Sequence, residues 1–101
     1  MELNDLRHFR HVALAGSFTR GAKASHVTVP AISKAVRRLE TELGRPLLVR
    51  TTRHVALTDA GRALLSRADR VLAELDAVRT DLDVDGGRIA GEVRIGAMEV
   101  L

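Results

Sequence analysis

The sequence contains no cysteine, tryptophan or tyrosine, and its two phenylalanines are Phe9 and Phe18. Without cysteine, the chain can form neither a disulfide framework nor a thiolate nucleophile nor a cysteine-ligated zinc site. Proteins that bind RNA or single-stranded DNA usually stack bases on several aromatic side chains. The shortage of aromatic residues therefore disfavours both of these ligands.

Long hydrophobic runs are also missing. No apolar segment approaches the roughly 20 residues of a membrane-spanning helix. The first ten residues carry four charged side chains instead of the apolar core of a signal peptide. We therefore expect a soluble, cytoplasmic protein with no membrane partner. Its 101 residues suggest one domain with at most an appendage.

Positive charge is concentrated in the first part of the chain. Residues 1–57 contain ten Lys or Arg against four Asp or Glu, whereas residues 58–101 contain six against nine. A basic segment of this kind favours a polyanionic ligand, although a solvated charged surface also explains the charge taken alone. Because the chain has so few aromatic side chains, duplex DNA is the favoured polyanion.

The first part of the sequence predicts two short helices. Apolar residues recur at three- and four-residue steps between residues 3 and 15, which indicates an amphipathic helix. Gly16 suits the C-terminal end of this helix, and Ser17 can N-cap a second helix over about residues 18–25. A tight connection then leads to the next helix.

The segment after Thr28 predicts a third helix with two different faces. The Thr28 hydroxyl can accept from an otherwise unpaired amide, and Pro30 falls in the first turn, where amides have no intrahelical acceptor. The helix is expected to continue to about Leu43 and to end at Gly44. Its apolar face consists of Ile32, Val36, Leu39 and Leu43, and its cationic face holds Ser33, Lys34, Arg37 and Thr41, with Arg38 near the edge.

Two short strands and a long helix follow. Residues 47–50 and 55–57 predict a hairpin whose connector is polar and basic. Thr58 can cap a helix that runs to about Asp83, and such a helix is too long to bury on so small a domain. Part of its apolar seam, near Leu64, can pack on the first helix, and we expect the remainder to pair two chains. The seam comprises Leu64, Ala68, Val71, Leu75, Val78 and Leu82.

The end of the sequence predicts a hinge and the start of a second domain. Gly86 and Gly87 can break the long helix, and residues 93–95 alternate as a strand does. A strand at this position requires neighbours that the sequence does not supply. We therefore expect the N-terminal part of a longer protein, with residues 86–101 opening the next domain.

Together these elements predict a mainly α fold, namely a winged helix-turn-helix of three helices and a two-stranded wing, followed by a dimerisation helix. The expected domains are residues 1–57 for DNA binding, 58–85 for the linker helix and 86–101 for the hinge and strand. In such a fold the third helix lies in the major groove and a basic wing tip, here Arg53, enters the adjacent minor groove. A two-fold dimer then reads a roughly palindromic site.

Several short motifs follow one another in a fixed order. They are Gly16-Ser17-Phe18-Thr19, Pro30-Ala31-Ile32-Ser33, Leu39-Glu40-x-x-Leu43-Gly44, Leu47-Leu48-x-Arg50 and Leu57-Thr58-x-Ala60-Gly61. With these motifs the chain resembles the DNA-binding region of LysR-type transcriptional regulators, over residues 1 to about 97. The resemblance implies a dimer through the linker helices, a tetramer for the full-length protein and an inducer-binding second domain. No cofactor is expected for the present segment.

Pattern and resemblance together give a set of predicted DNA contacts. The resemblance implies that Ser33 meets a phosphate or a base edge and that Lys34 meets a guanine or a phosphate. The full predicted set is Ser17, Thr28, Val29, Pro30, Ala31, Ser33, Lys34, Arg37, Arg38, Arg50, Thr51, Thr52 and Arg53.

The sequence departs from the family's pattern at four positions. Val29 stands where glutamine is common, so an apolar contact, for instance with a thymine methyl group, replaces an amide that reads adenine. Ser25 replaces a leucine, Gly21 an alanine and Leu48 a phenylalanine. Because glycine lowers helix propensity by roughly 1 kcal/mol, these changes predict weaker packing of the second helix.

Other functions find less support in the sequence. His8 and His11 are three residues apart on a helix and could share a metal with Asp5, but the ligand set is poor and we expect no metal site. Ser17, Ser33 and Ser66 lack a recognisable base and orienting group, so we expect no enzyme. A protein-interaction module that uses the winged helix without DNA stays open as the alternative to a DNA-binding regulator.

Overall fold

A computed structural model of the chain describes residues 1–51 and 54–86. Within these residues the chain forms four helices and a two-stranded sheet, which confirms the predicted fold class. The helices are α1 (Leu3–Ala15), α2 (Phe18–Ser25), α3 (Val29–Leu43) and α4 (Asp59–Gly86), and the strands are β1 (Leu48–Arg50) and β2 (Val55–Leu57). The predicted hinge residue Gly87 and the predicted strand at 93–95 lie outside the described residues.

Helices α2, α3 and α4 begin at the predicted capping residues. The hydroxyl of Ser17 accepts from the backbone N–H of Arg20 at 3.2 Å, and that of Thr28 accepts from the N–H of Ala31 at 3.3 Å. The Thr58 hydroxyl accepts from a first-turn amide of α4 at 3.0 Å and donates to the carbonyl of Pro46 at 2.7 Å. Each cap pairs an amide that has no partner within its own helix.

Two helices also end as predicted. Gly16 and Gly44 adopt left-handed φ angles of 67° and 68° and donate to the carbonyls of Val12 and Glu40, respectively. A residue with a β-carbon is strained in this conformation, so glycine is the natural residue here. Gly16 also places its carbonyl where the N–H of Val55 donates to it at 3.0 Å, which ties β2 to the turn between α1 and α2.

The three short helices enclose one apolar core with the residue that precedes β1. Its buried members are Phe9, Val12, Ala22, Ile32, Val36, Leu39 and Leu47. Of the predicted apolar face of α3, three residues are buried, but Leu43 in the last turn is 40% exposed. Ala35 is completely buried instead, although its small side chain gave no such signal in the sequence.

The packing of α1 against α2 corrects the expectation for Gly21. A β-carbon added at Gly21 would lie 2.8 Å from the Cα of Val12, closer than any ordinary contact. The missing side chain therefore permits a close approach of the two helices and does not loosen α2. The substitution at Ser25 differs, because its hydroxyl oxygen is buried and has no hydrogen-bond partner among the described residues.

A short antiparallel hairpin forms the wing. Leu48 pairs with Leu57 and Arg50 pairs with Val55. The first strand begins one residue later than predicted, since the N–H of Leu47 donates to the Glu40 carboxylate at 2.8 Å instead of joining the ladder. The same carboxylate oxygen accepts from the N–H of Leu48 at 3.3 Å, so α3 holds the start of the wing.

The chain divides into two compact units at Asp69 and Arg70, within α4. In the first unit, Ala68 is 1% exposed and Leu64 packs against the apolar core. The packing of Leu64 agrees with the expectation that this part of the seam packs within the chain, and the part of Ala68 in a dimer stays a prediction. None of the helices in residues 1–51 and 54–86 combines the length and the hydrophobicity of a membrane span.

Candidate nucleic-acid interface

The first turns of α3 present the predicted reading residues to solvent. Val29 is 40% exposed, Pro30 and Ala31 are exposed beside it, and Lys34 is exposed one turn later. Thr28 caps this end and Pro30 occupies the first turn, so the helix starts at the surface with the positive end of its dipole outward. The arrangement offers apolar contacts first and a cation next.

Ser33 and Arg50 join the helix to the wing. The Arg50 guanidinium donates from Nη2 to the Ser33 hydroxyl at 3.1 Å, across 17 residues of sequence. Its Cζ atom also lies 4.1 Å from the centroid of the Phe18 ring. This distance is well within the range of a cation–π interaction. The predicted contact residues of α3 and β1 therefore lie side by side.

Arg37 adds a second guanidinium to the same place. A cavity of about 70 Å³ is bordered by Ser33, Arg37 and Arg50, together with Phe18 and Glu40. Arg37 is exposed and forms no ion pair with another described residue. Two guanidinium groups at one surface, against the single carboxylate of Glu40, favour the approach of an anion.

Arg38 has a different position from Arg37. Its Nε donates to Asp5 Oδ2 at 2.9 Å and its Nη2 donates to Asp5 Oδ1 at 2.7 Å. The side chain of Asp5 is 7% exposed and that of Arg38 is 53% exposed. The Arg38 hydrogen bonds and charge hold the pKa of the Asp5 carboxyl below its usual range, against the opposing effect of burial. The charge of Arg38 is thus neutralised within the chain, and its part in DNA binding stays a prediction.

The cationic surface of α3 ends near the helix C-terminus. An open depression of about 370 Å³ runs along it and is lined by Lys34, Arg37, Arg38, Thr41 and Glu42. Glu42 carries the opposite charge and accepts from the Met1 amine at 2.9 Å. The side chains of α3 that can offer positive charge to a ligand, Lys34 and Arg37, therefore lie in the first two thirds of the helix.

The remaining predicted contacts are distributed between the wing and the start of α2. Thr51 closes the wing turn, because its backbone N–H and hydroxyl both donate to the carbonyl of His54, at 2.8 and 2.7 Å. Thr52 and Arg53 lie outside the described residues. The Ser17 hydroxyl serves as the N-cap of α2, and its predicted DNA contact stays a prediction.

Three residues organise this surface without having had a predicted role in it. Asp5 orients Arg38, Glu40 holds the first residues of the wing, and Phe18 lies under the Arg50 guanidinium. Phe18 and Glu40 belong to the motifs that carry the family resemblance, but neither residue had been assigned a role. Within the described residues no group of three or more potential ligands could hold a metal ion. His8 and His11 therefore belong to no such group there.

Comparison with known proteins identifies the family of this fold. Residues 3–62 match the family model described as bacterial regulatory helix-turn-helix protein, lysR family. The chain is 41% identical over 95 residues to the HTH-type transcriptional activator IlvY of Salmonella typhimurium, covering 94% of this chain and 32% of that protein. It is 42% identical over 97 residues to the HTH-type transcriptional regulator PtxR of Pseudomonas aeruginosa, covering 96% and 31%. The chain thus spans about a third of the length of these relatives.

Solved structures show the same architecture. The CbnR DNA-binding domain in complex with DNA is 40% identical, with a TM-score of 0.76, and the match covers 87% of this chain and all of that one. The BenM DNA-binding domain in complex with catB site 1 DNA is 33% identical, with a TM-score of 0.82 over 93% of this chain and all of that one. With the family model matching more than half of its residues, the chain belongs to the lysR family of bacterial regulatory helix-turn-helix proteins.

Proposed function

We propose that this chain is the DNA-binding and dimerisation part of a sequence-specific transcription regulator and has no enzymatic activity. The observation that carries the proposal is the hydrogen bond from Arg50 to Ser33, which unites the wing and α3 in one cationic surface. Two relatives of the same fold, CbnR and BenM, are seen in complexes with DNA. Such a regulator would work in the cytoplasm.

In this proposal α3 lies in the major groove and the wing follows the adjacent minor groove. Lys34 and Arg37 neutralise phosphates or reach base edges, and the amides at the start of α3 face the DNA backbone. Arg53, which the sequence places at the wing tip, would enter the minor groove, where a narrow A·T-rich groove attracts arginine. Thr51 and Thr52 would contact the backbone beside it.

Val29 should give this surface a base preference different from that of a glutamine at the same position. Its side chain is exposed at the tip of α3, beside Pro30 and Ala31, and it has no hydrogen-bonding group. Apolar side chains in the major groove recognise the methyl group of thymine. We therefore expect the operator to carry a thymine opposite Val29.

The second unit supplies the means of pairing. Val71, Val78 and Leu82 are 47%, 51% and 64% exposed along α4, and Leu75 is half-buried between them. A seam of this spacing is suited to helix pairing, and a two-fold dimer would read a roughly palindromic operator. IlvY and PtxR are about three times as long as this chain, which leaves room for an additional inducer-binding domain. In this proposal the whole protein forms a tetramer.

The proposal is tested by the affinity of the chain for a labelled random-sequence duplex at several salt concentrations. We expect tight binding at low salt and a steep, linear fall of log affinity with log salt, because phosphate contacts release counterions. Selection from a random duplex pool should then give two related half-sites. Absent binding at low salt, or binding that is independent of salt, would favour a protein-interaction module instead.

A further inference from the structure

Phe18 occupies a position that neither core packing nor helix formation fully explains. It is the first residue of α2 and packs against the edge of the apolar core, but it remains partly exposed. Its ring lies under the guanidinium of Arg50, 4.1 Å from Cζ to the ring centroid. The negative face of an aromatic ring attracts a cation in this geometry.

Two effects disfavour the position of Arg50 beside Ser33. Arg37 borders the same small cavity, so two guanidinium groups of like charge lie close together. Glu40, the acidic residue at that cavity, is already accepting from the N–H groups of Leu47 and Leu48. An exposed arginine in this position loses considerable side-chain entropy when it is fixed. The Phe18 ring supplies an attraction that offsets both effects.

The orientation of Arg50 also determines what Ser33 can do. A serine hydroxyl has one proton and two lone pairs, and Arg50 Nη2 donates to the oxygen. No acceptor for the Ser33 proton is recorded among the described residues. With a cation on its oxygen, this hydroxyl is suited to donate toward an acceptor outside the chain, such as a phosphate or a base oxygen.

We propose that Phe18 is a positioning residue for DNA binding, which acts by holding Arg50 against Ser33 so that the wing and α3 meet DNA as one prearranged surface. The inference rests on the proposed function above. It assigns no DNA contact to Phe18 itself, since the ring acts through Arg50. Full affinity therefore needs an aromatic ring at position 18, and an aliphatic residue of similar size should give weaker binding.

The first test uses the 101-residue chain with Phe18→Leu, Phe18→Tyr and Arg50→Ala, and a labelled duplex selected by the wild-type chain. We expect Phe18→Leu to weaken binding about two- to fivefold, the size that a partly exposed cation–π contact supports. Phe18→Tyr should bind as the wild type does, because the aromatic face is retained. In an Arg50→Ala background, Phe18→Leu should cause no further loss.

The second measurement is independent of DNA. In the free chain, NMR should show the Arg50 Cδ protons shifted upfield by the ring of Phe18, with the shift lost in Phe18→Leu and kept in Phe18→Tyr. An unshifted Arg50 in the wild type would overturn the proposal. An equal loss from Phe18→Leu with and without Arg50 would also overturn it, since the effect would then be one of packing.

The outcomes separate this inference from the proposed function. A wild-type chain that binds the random-sequence duplex in low salt, beside a Phe18→Leu variant of unchanged affinity, overturns the inference alone. A wild-type chain that binds no duplex at any salt concentration overturns both.

Discussion

Arg38 of α3 donates two hydrogen bonds to Asp5 of α1, from Nε to Oδ2 at 2.9 Å and from Nη2 to Oδ1 at 2.7 Å. The pair joins the proposed recognition helix to the first helix of the fold across 33 residues of sequence. Its two sides differ in exposure, because the carboxylate is buried and the guanidinium is half in solvent. The two adjacent arginines of α3 therefore have different roles. Arg38 pairs with Asp5 within the fold, whereas Arg37 stays exposed at the cationic surface.

The first prediction concerns the stability that Arg38 provides. Arg38→Ala leaves the Asp5 carboxylate buried without its main donor, and it should lower the free energy of unfolding. The loss should be smaller than for a fully buried pair because the guanidinium is half exposed. Urea denaturation followed by circular dichroism measures it.

Arg37→Ala is the matched control, since it removes the same charge one residue earlier. This variant should keep its stability within about 0.5 kcal/mol, as exposed substitutions usually do. It should instead weaken duplex binding and reduce the slope of log affinity against log salt by about one. Equal destabilisation by both substitutions would contradict the separation of roles.

The second prediction is a pH dependence of the same pair. The pKa of Asp5 is lowered from its ordinary value of 3.8, chiefly by the hydrogen bonds from Arg38. A carboxyl with a lowered folded pKa contributes stability that is present above the unfolded value and is lost as pH falls through the folded value. The stability difference between wild type and Arg38→Ala should therefore be constant above about pH 5 and shrink below pH 4. A difference that persists undiminished at the lowest pH would argue against this linkage.

The third prediction concerns His11, a half-buried residue of α1. Burial lowers its pKa from the ordinary value of 6.5, and the nearby charges of Arg10, His8, Arg7 and His26 act in the same direction. The unfolded chain therefore takes up a proton more readily than the folded chain, so stability falls as pH decreases through and below 6.5. His11→Gln should reduce the difference in thermal midpoint between pH 7.5 and pH 5.5. A difference as large as that of the wild type would contradict the prediction.

The fourth prediction tests the close approach at Gly21. Alanine favours helix by roughly 1 kcal/mol relative to glycine, so propensity alone predicts that Gly21→Ala stabilises α2. Its β-carbon would overlap with Val12 backbone and side-chain atoms, however, and the buried position gives little room to adjust. We expect a net loss of about 1–3 kcal/mol in the free energy of unfolding, measured in urea. A gain would show that α1 and α2 move apart without penalty.

The sequence predicted the order of elements and their ends because both depend on neighbours within a few residues. Capping by Ser17 and Thr28, for example, requires an oxygen three residues before an unpaired amide. The relationships that it missed join residues far apart, as Asp5 does with Arg38 and Phe18 does with Arg50. No local pattern reports which side chains meet after three helices pack. Periodicity also placed Leu43 on the buried face of α3, whereas the structure leaves it 40% exposed in the last turn.

The fifth prediction concerns pairing through α4. Leu75→Asp would place a charge in the middle of the proposed seam, where a partner chain would have to bury it, and this should convert dimers to monomers in sedimentation equilibrium. Ala77→Asp is the matched control, because it adds the same charge to an exposed position outside the seam. Both variants should retain most of the helical circular dichroism of the wild type, since α1, α2 and α3 lie in the first unit, Met1–Asp69, which contains neither substitution. Dimers that survive Leu75→Asp would show that the exposed apolar residues of α4 do not form the contact between chains. Loss of dimers in both variants would instead indicate that added negative charge alone separates the helices.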